Sequence, residues 1–193
     1  RSSSTSCLIT YMETHTKGSS LAKHVFIIGM PGSGKSFWAK QISAYFNFPF
    51  VDLDAKITHT YGKSINELFQ ENGEEAFRKI EQQELQNLCF QSPLQIIACG
   101  GGTPIYEDNL EWMKRFGMVI FINPSKASII QRIYSKSHRP QFLNKSIQDI
   151  DRIYEELLVK RLPIYQQAHH TVNEEQLTIE YLIKLIQPCI NHH

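Results

Sequence analysis

The chain has 193 residues, of which 41% are hydrophobic and 20% charged, and a formal net charge of +1. That length gives one domain with a substantial core. The balanced charge argues against a nucleic acid or an anionic membrane as partner, and no apolar run approaches the roughly 18 residues a membrane span needs. The four cysteines, Cys7, Cys89, Cys99 and Cys189, are scattered with no C-x-x-C pair, which argues against a zinc site or a disulfide framework and fits a reducing, cytoplasmic setting.

Residues 1–22 are polar, hydroxyl-rich and poor in acids. They read as a disordered or vector-derived leader, with organelle import left open. The fold is expected over residues 23–193. His24–Ile28 is an apolar, β-branched run, the pattern of a buried parallel strand. It leads into Gly29-Met30-Pro31-Gly32-Ser33-Gly34-Lys35-Ser36, which fits G-x-x-x-x-G-K-[ST]. A helix over 37–46 follows, with Trp38, Ile42 and Tyr45 expected on its apolar face. In the order strand, loop, helix, the glycines let backbone N–H groups curl around an anion, and the helix adds its positive end. Gly32, Ser33, Gly34, Lys35 and Ser36 are therefore candidates to bind a nucleotide's phosphates, with Lys35 on the β- and γ-phosphates and Ser36 on Mg²⁺.

A second strand is expected over 48–53, followed by a short helix over 55–61 that Gly62 stops. Asp52 and Asp54 stand two residues apart, so an extended segment points both carboxylates to one face; the plainer alternative is a strand closing into an Asp-capped helix. Ser64-Ile65-Asn66-Glu67 has the form of a capping box, Gly73 breaks the helix it starts, and a long helix over 74–90 buries Phe77, Ile80, Leu85 and Leu88. A third strand over 94–99 ends in Gly100-Gly101-Gly102, where a ligand can pack against bare backbone. Beyond it the pattern predicts a helix near 108–115, a strand over 118–122, a helix over 125–134, a polar lid loop over about 136–146, a helix over 150–168 bent at Pro163, a short strand over 170–172 and a last helix over 176–186. Alternating strands and helices give a three-layer α/β/α architecture around a five-stranded parallel sheet, with the ligand at the carboxyl ends of the strands.

In their order and separations, Gly29–Ser36, Asp52-Leu53-Asp54, Phe77-Arg78-Lys79-Ile80-Glu81, Gly100-Gly101-Gly102, Arg139-Pro140 and Arg161-Leu162-Pro163-Ile164-Tyr165 resemble the shikimate kinase family, small P-loop kinases with the nucleoside-monophosphate-kinase-like fold. The resemblance runs from about residue 24 to 172. It implies ATP-dependent phosphorylation of the shikimate 3-hydroxyl with Mg²⁺, a step toward chorismate and the aromatic amino acids; a monomer acting on ATP and shikimate is expected. By position it implies that Asp52 holds Mg²⁺ through water and that Asp54 meets the shikimate hydroxyls and accepts the proton of the reacting one. It pairs Arg78 with Arg161 on the shikimate carboxylate and makes Gly100, Gly101 and Gly102 the backbone wall of the ring. It puts Arg139 of the lid on the transferring phosphoryl, Arg132 against adenine and Glu81 behind its neighbours as an orienting partner. Cys99 departs from the family, where a small hydroxyl residue is usual. A gluconate or nucleotide kinase would share the loop and lid without the full arginine and glycine set; a module that binds nucleotide without turnover is the reading from another class.

Overall fold

The computed structural model describes residues 24–91, 93–135 and 146–190. The leader over 1–22 and Arg139, with the 136–145 part of the expected lid, lie outside the described residues.

Five strands form one parallel sheet: β1 His24–Ile28, β2 Phe50–Asp52, β3 Ile96–Ala98, β4 Gly117–Asn123 and β5 His170–Asn173, in the spatial order β2-β3-β1-β4-β5. The helices are α1 Lys35–Phe46, α2 Leu53–Tyr61, α3 Ile65–Cys89, α4 Asn109–Phe116, α5 Lys126–Ser135, α6 Ile147–Tyr165 and α7 Ile179–Ile190. Side chains alternate across a strand, so β1 feeds two cores. Val25 and Ile27 pack with Ala39 and Ile42 of α1 and Leu182 and Ile186 of α7. Phe26 and Ile28 pack on the other face with apolar residues of α2 to α6. This is the expected three-layer arrangement. The chain leaves β1 for the β2 edge and returns through β3 to cross to β4, so the strand order switches beside β1 and the crevice opens at its carboxyl end.

Several boundaries differ from the sequence expectation. α1 begins at Lys35, directly after Gly34. Its inner face is Lys35, Ala39 and Ile42, while Tyr45 is exposed. The helical register is thus set by the glycine loop and by packing on β3 and α7, and the aromatic stripe misplaced it. β2 is shorter than expected because Asp52 caps α2 by accepting from the Ala55 N–H at 3.2 Å, leaving Leu53 as a buried first helical residue. The Asp-capped alternative is therefore the local geometry. Gly73 does interrupt α3, at φ 78°. The Ser64–Glu67 capping box opens that helix as expected. α6 starts early because Ser146 caps it through the Asp149 N–H at 3.1 Å, and Pro163 falls in its last turn. A 3₁₀ turn over Glu174–Gln176 displaces the start of α7 to Ile179.

Two histidines finish strand ends. His24 Nδ1 accepts from the Gln95 N–H at 3.2 Å, and its Nε2 lies 3.3 Å from the Cys89 carbonyl. His169 Nδ1 accepts from the Val119 N–H at 3.0 Å, doing for β4 what a strand carbonyl would do. At Gly117, opposite His24 in the β1–β4 register, a Cβ would run into the His24 backbone. Gly117→Ala should therefore cost about 2–4 kcal/mol, read as a lowered urea midpoint with an unchanged slope.

Candidate active site

The carboxyl ends of β1, β2 and β3 deliver three polar segments to one place. A cleft of about 670 Å³ is lined there by Pro31, Lys35, Ser36, Asp52, Asp54, Ile65, Asn66, Phe69, Phe77, Arg78, Glu81, Cys99, Gly100, Gly101, Gly102 and Arg161. The expected acceptor and metal residues, Ser36, Asp52, Asp54, Arg78, Gly100, Gly101, Gly102 and Arg161, all line this one cavity. Of the remaining candidates, Gly32, Ser33 and Gly34 form the glycine loop itself and Arg132 lies beside it.

The loop is built from backbone. Gly29, Gly32 and Gly34 have φ of 149°, 89° and 92°, a range L side chains rarely adopt. A Cβ on Gly32 would strike Ile133 at 2.8 Å, so this glycine lets α5 pack directly on the loop. The start of α1 has no side-chain cap, leaving its N–H groups to an anion. Lys35, largely buried, donates to the Gly29 and Met30 carbonyls at 3.0 Å each and so arches over the loop. Ser33 shapes the turn: its N–H donates to the Met30 carbonyl at 3.1 Å and its side chain is buried. Arg132 approaches from α5, its Nη1 3.4 Å from the Ser33 carbonyl, beside the loop and off the cleft lining.

Ser36 Oγ donates to Asp52 Oδ2 at 2.6 Å, while Asp52 Oδ1 caps α2. A hydroxyl and a carboxylate oxygen are thereby fixed side by side at the end of the loop. Among the described residues no cluster of three or more His, Cys, Asp or Glu could hold a metal ion. A hard cation that keeps its waters and takes oxygens from a nucleotide needs no such cluster, and the Ser36–Asp52 pair supplies the all-oxygen donors it prefers.

The triple glycine organises the opposite wall. A Cβ on Gly100 would lie 2.7 Å from Glu81 Oε1 and 2.8 Å from Asp54 Oδ1; one on Gly101 would lie 2.8 Å from Arg161 Nη1 and 3.2 Å from Pro31 Cδ; one on Gly102 would collide with the Arg78 guanidinium. Each glycine therefore makes room for a different cleft residue. Arg78 is held by Glu81 at 2.5 Å and Glu74 at 3.6 Å, and its guanidinium lies over the rings of Phe69 and Phe77 at 5.6 and 5.3 Å. Buried Glu81 also accepts from the buried Thr103 hydroxyl. Both arginines face the same cavity, and the planar fork of Arg78 is set by its neighbours.

Asp54 keeps solvent access through the cleft mouth, yet the walls displace much of the surrounding water. That burial, reinforced by Glu81 and Asp52 and opposed by Lys35 and Arg78, pushes its carboxyl from an ordinary 3.8 up to about 6. It is ionised near neutrality and basic enough to take a proton. Burial, with Glu81 nearby, also drives the Cys99 thiol well above its ordinary value, so Cys99 is an inert filler of the cleft floor.

Ile65, Asn66, Phe69 and Thr103 are contributors that the sequence reading passed over. Ile65 and Phe69 lie four residues apart on one face of the arm before Gly73, and that spacing was the available signal. Thr103, directly after the glycines, carried none.

A parallel sheet, a glycine loop after its first strand and an acceptor cleft beside that loop define a small-molecule P-loop kinase. The comparisons narrow the class. The family model for shikimate kinase matches residues 31–190. A shikimate kinase of Bacteroides thetaiotaomicron is 33% identical over 162 residues, which cover 83% of this chain and 91% of that protein. The crystal structure of a shikimate kinase from the same organism superposes with a TM-score of 0.80 at 31% identity, covering 88% of this chain and 98% of that one. Shikimate kinase from Acinetobacter baumannii in complex with shikimate gives 0.76 at 26% identity, covering 89% and 94%. The chain belongs to the shikimate kinase family.

The raised Asp54 pKa has a thermodynamic consequence. The folded protein holds this proton more tightly than the unfolded chain, so the contribution to stability is full below the ordinary value and is lost as pH rises through about 6. Asp54→Asn should therefore raise the Tm at about pH 7.5, with the gain shrinking toward zero at about pH 4. Equal Tm differences at both pH values would show that Asp54 carries no such strain.

Proposed function

We infer that this protein transfers the γ-phosphoryl group of ATP to the 3-hydroxyl of shikimate, giving shikimate 3-phosphate and ADP. The reading rests above all on Arg78, Arg161 and Asp54 converging on one glycine wall that faces the phosphate loop. Two planar cations suit one carboxylate, a hydrogen-bonding carboxylate suits ring hydroxyls, and bare backbone suits the flat side of a ring.

In this scheme the loop N–H groups and Lys35 hold the nucleotide phosphates. Ser36 and Asp52 would hold Mg²⁺, Asp52 through water, and the ion would supply positive charge to offset that of the nucleotide phosphates. Arg132 lies against adenine. Arg78 and Arg161 fix the acid end of shikimate, which aims the 3-hydroxyl at Asp54 and the γ-phosphorus. The bond from the γ-phosphorus to the ADP oxygen breaks as the bond to the shikimate oxygen forms, and Asp54 takes the hydroxyl proton. Alignment and fixed charge supply most of the acceleration such a transfer needs. The protein acts as a monomer on small anionic substrates, with no call for a nucleic acid. Among the described residues, no helix is long and apolar enough to cross a membrane.

The purified protein should release ADP only when ATP, Mg²⁺ and shikimate are all present, and gluconate or nucleoside monophosphates should not replace shikimate. Absence of shikimate-dependent ADP in a coupled assay would overturn the assignment. Arg78→Lys keeps the charge and loses the fork, so the KM for shikimate should rise about 10- to 100-fold while that for ATP stays within about threefold. Equal losses for both substrates would remove Arg78 from the acceptor site. Asp54→Asn should lower kcat by about 10²–10⁴; a rate near that of the parent would remove Asp54 from the chemistry.

A further inference from the structure

Tyr165 stands where the two halves of the site touch. It is the last residue of α6, one turn beyond Arg161, and is fully buried. Its hydroxyl lies 2.5 Å from the Gly101 carbonyl and 3.2 Å from the Gly29 carbonyl. Gly29 opens the phosphate loop, and Gly101 is the middle residue of the acceptor wall. The phenol has one proton, which it donates chiefly to the nearer Gly101 carbonyl and shares with Gly29, so that the two carbonyls do not meet without a donor between them. The Gly29 carbonyl also accepts from Lys35 at 3.0 Å. A continuous polar path thus runs from the phosphate-binding lysine through Gly29 and Tyr165 to the shikimate wall.

We propose that Tyr165 is a positioning residue whose hydroxyl sets the separation of the phosphoryl-donor loop from the acceptor wall. Only the protonated phenol can do this, because a phenolate has nothing to donate to a carbonyl. Burial, against the charge of Arg161 and the hydrogen bond its side chain makes with this hydroxyl, pushes the Tyr165 phenol up to about 12, so the donor persists at every physiological pH. Packing alone does not require the hydroxyl. The ring is held against Phe121 at a centroid distance of 5.0 Å, and a phenylalanine would fill the same space. The inference rests on the kinase reading, since it concerns alignment of the two substrates. An error of about 1 Å in such an alignment can cost about 10² in rate while leaving each substrate's own binding contacts in place.

Tyr165→Phe tests this. The variant should keep its Tm within a few degrees, keep its KM for ATP within about threefold and lose about tenfold or more in kcat, beyond any change in the KM for shikimate that follows from the lost Arg161 contact. Tyr165→Leu, which also removes the ring, should lose stability as well. An unchanged kcat in the Phe variant, or a loss confined to KM, would overturn the proposal. Amide exchange gives a readout independent of the acceptor's identity. In the Phe variant, exchange should quicken in residues 29–36 and 99–103 together and stay unchanged elsewhere; unchanged exchange in both segments would overturn the bridge even if shikimate proved not to be the acceptor. Should the Phe variant not fold, 3,5-difluorotyrosine at 165 keeps ring and hydroxyl but ionises more readily. Its kcat should then fall at a lower alkaline pH than the parent's, and a superimposable pH profile would contradict the role.

Discussion

The site depends on the close approach of side chains to Gly100, Gly101 and Gly102. Each glycine abuts different partners, and these come from four segments: Asp54 from α2, Glu81 and Arg78 from α3, Arg161 from α6 and Pro31 from the phosphate loop. A strand end without Cβ atoms lets all of them crowd to one point. Any side chain here would push at least one charged group out of line. The wall is therefore a spacing device for the charged groups that line the cleft.

Crowding carries an electrostatic cost that the surroundings offset. Glu81 is buried, yet Arg78 and the Thr103 hydroxyl occupy its two oxygens. Asp52 is fixed by the Ser36 hydroxyl and by the start of α2. Lys35 is satisfied by loop carbonyls. Asp54 is the group left least compensated, its carboxyl pushed up by burial and by Glu81 and Asp52. Buried charges retained at such cost make sense as a preorganised environment for the transfer of a charged group, because their orientation is established before the substrates arrive.

The architecture could be read from the chain because its local signals agree. A β-branched run, three glycines at fixed offsets and a following helix leave one sensible geometry, and alternating patterns supply the rest of the sheet. The clustering of Asp54, Arg78, Arg161 and the glycine triplet was legible through family resemblance, since residues over 100 positions apart carry no local sign that they meet. Physics of other kinds hid the remainder. Tyr45 looked like part of an apolar stripe but is exposed, because tertiary packing chose a neighbouring face of α1. Asp52 serves at once as a cap and as a cleft residue, a double use that the pattern presented as two alternatives. Thr103 and Tyr165 act through hydrogen bonds to groups distant in sequence, which no periodicity reveals.

A crystal structure of the protein with ADP, Mg²⁺ and shikimate examines the central claim most directly. The account predicts one carboxylate gripped by the Arg78 and Arg161 guanidinium groups together, the ring laid on Gly100–Gly102, and the 3-hydroxyl turned toward Asp54 and the nucleotide. A shikimate carboxylate bound away from either arginine, or a ring whose 3-hydroxyl points out of the cleft, would contradict it.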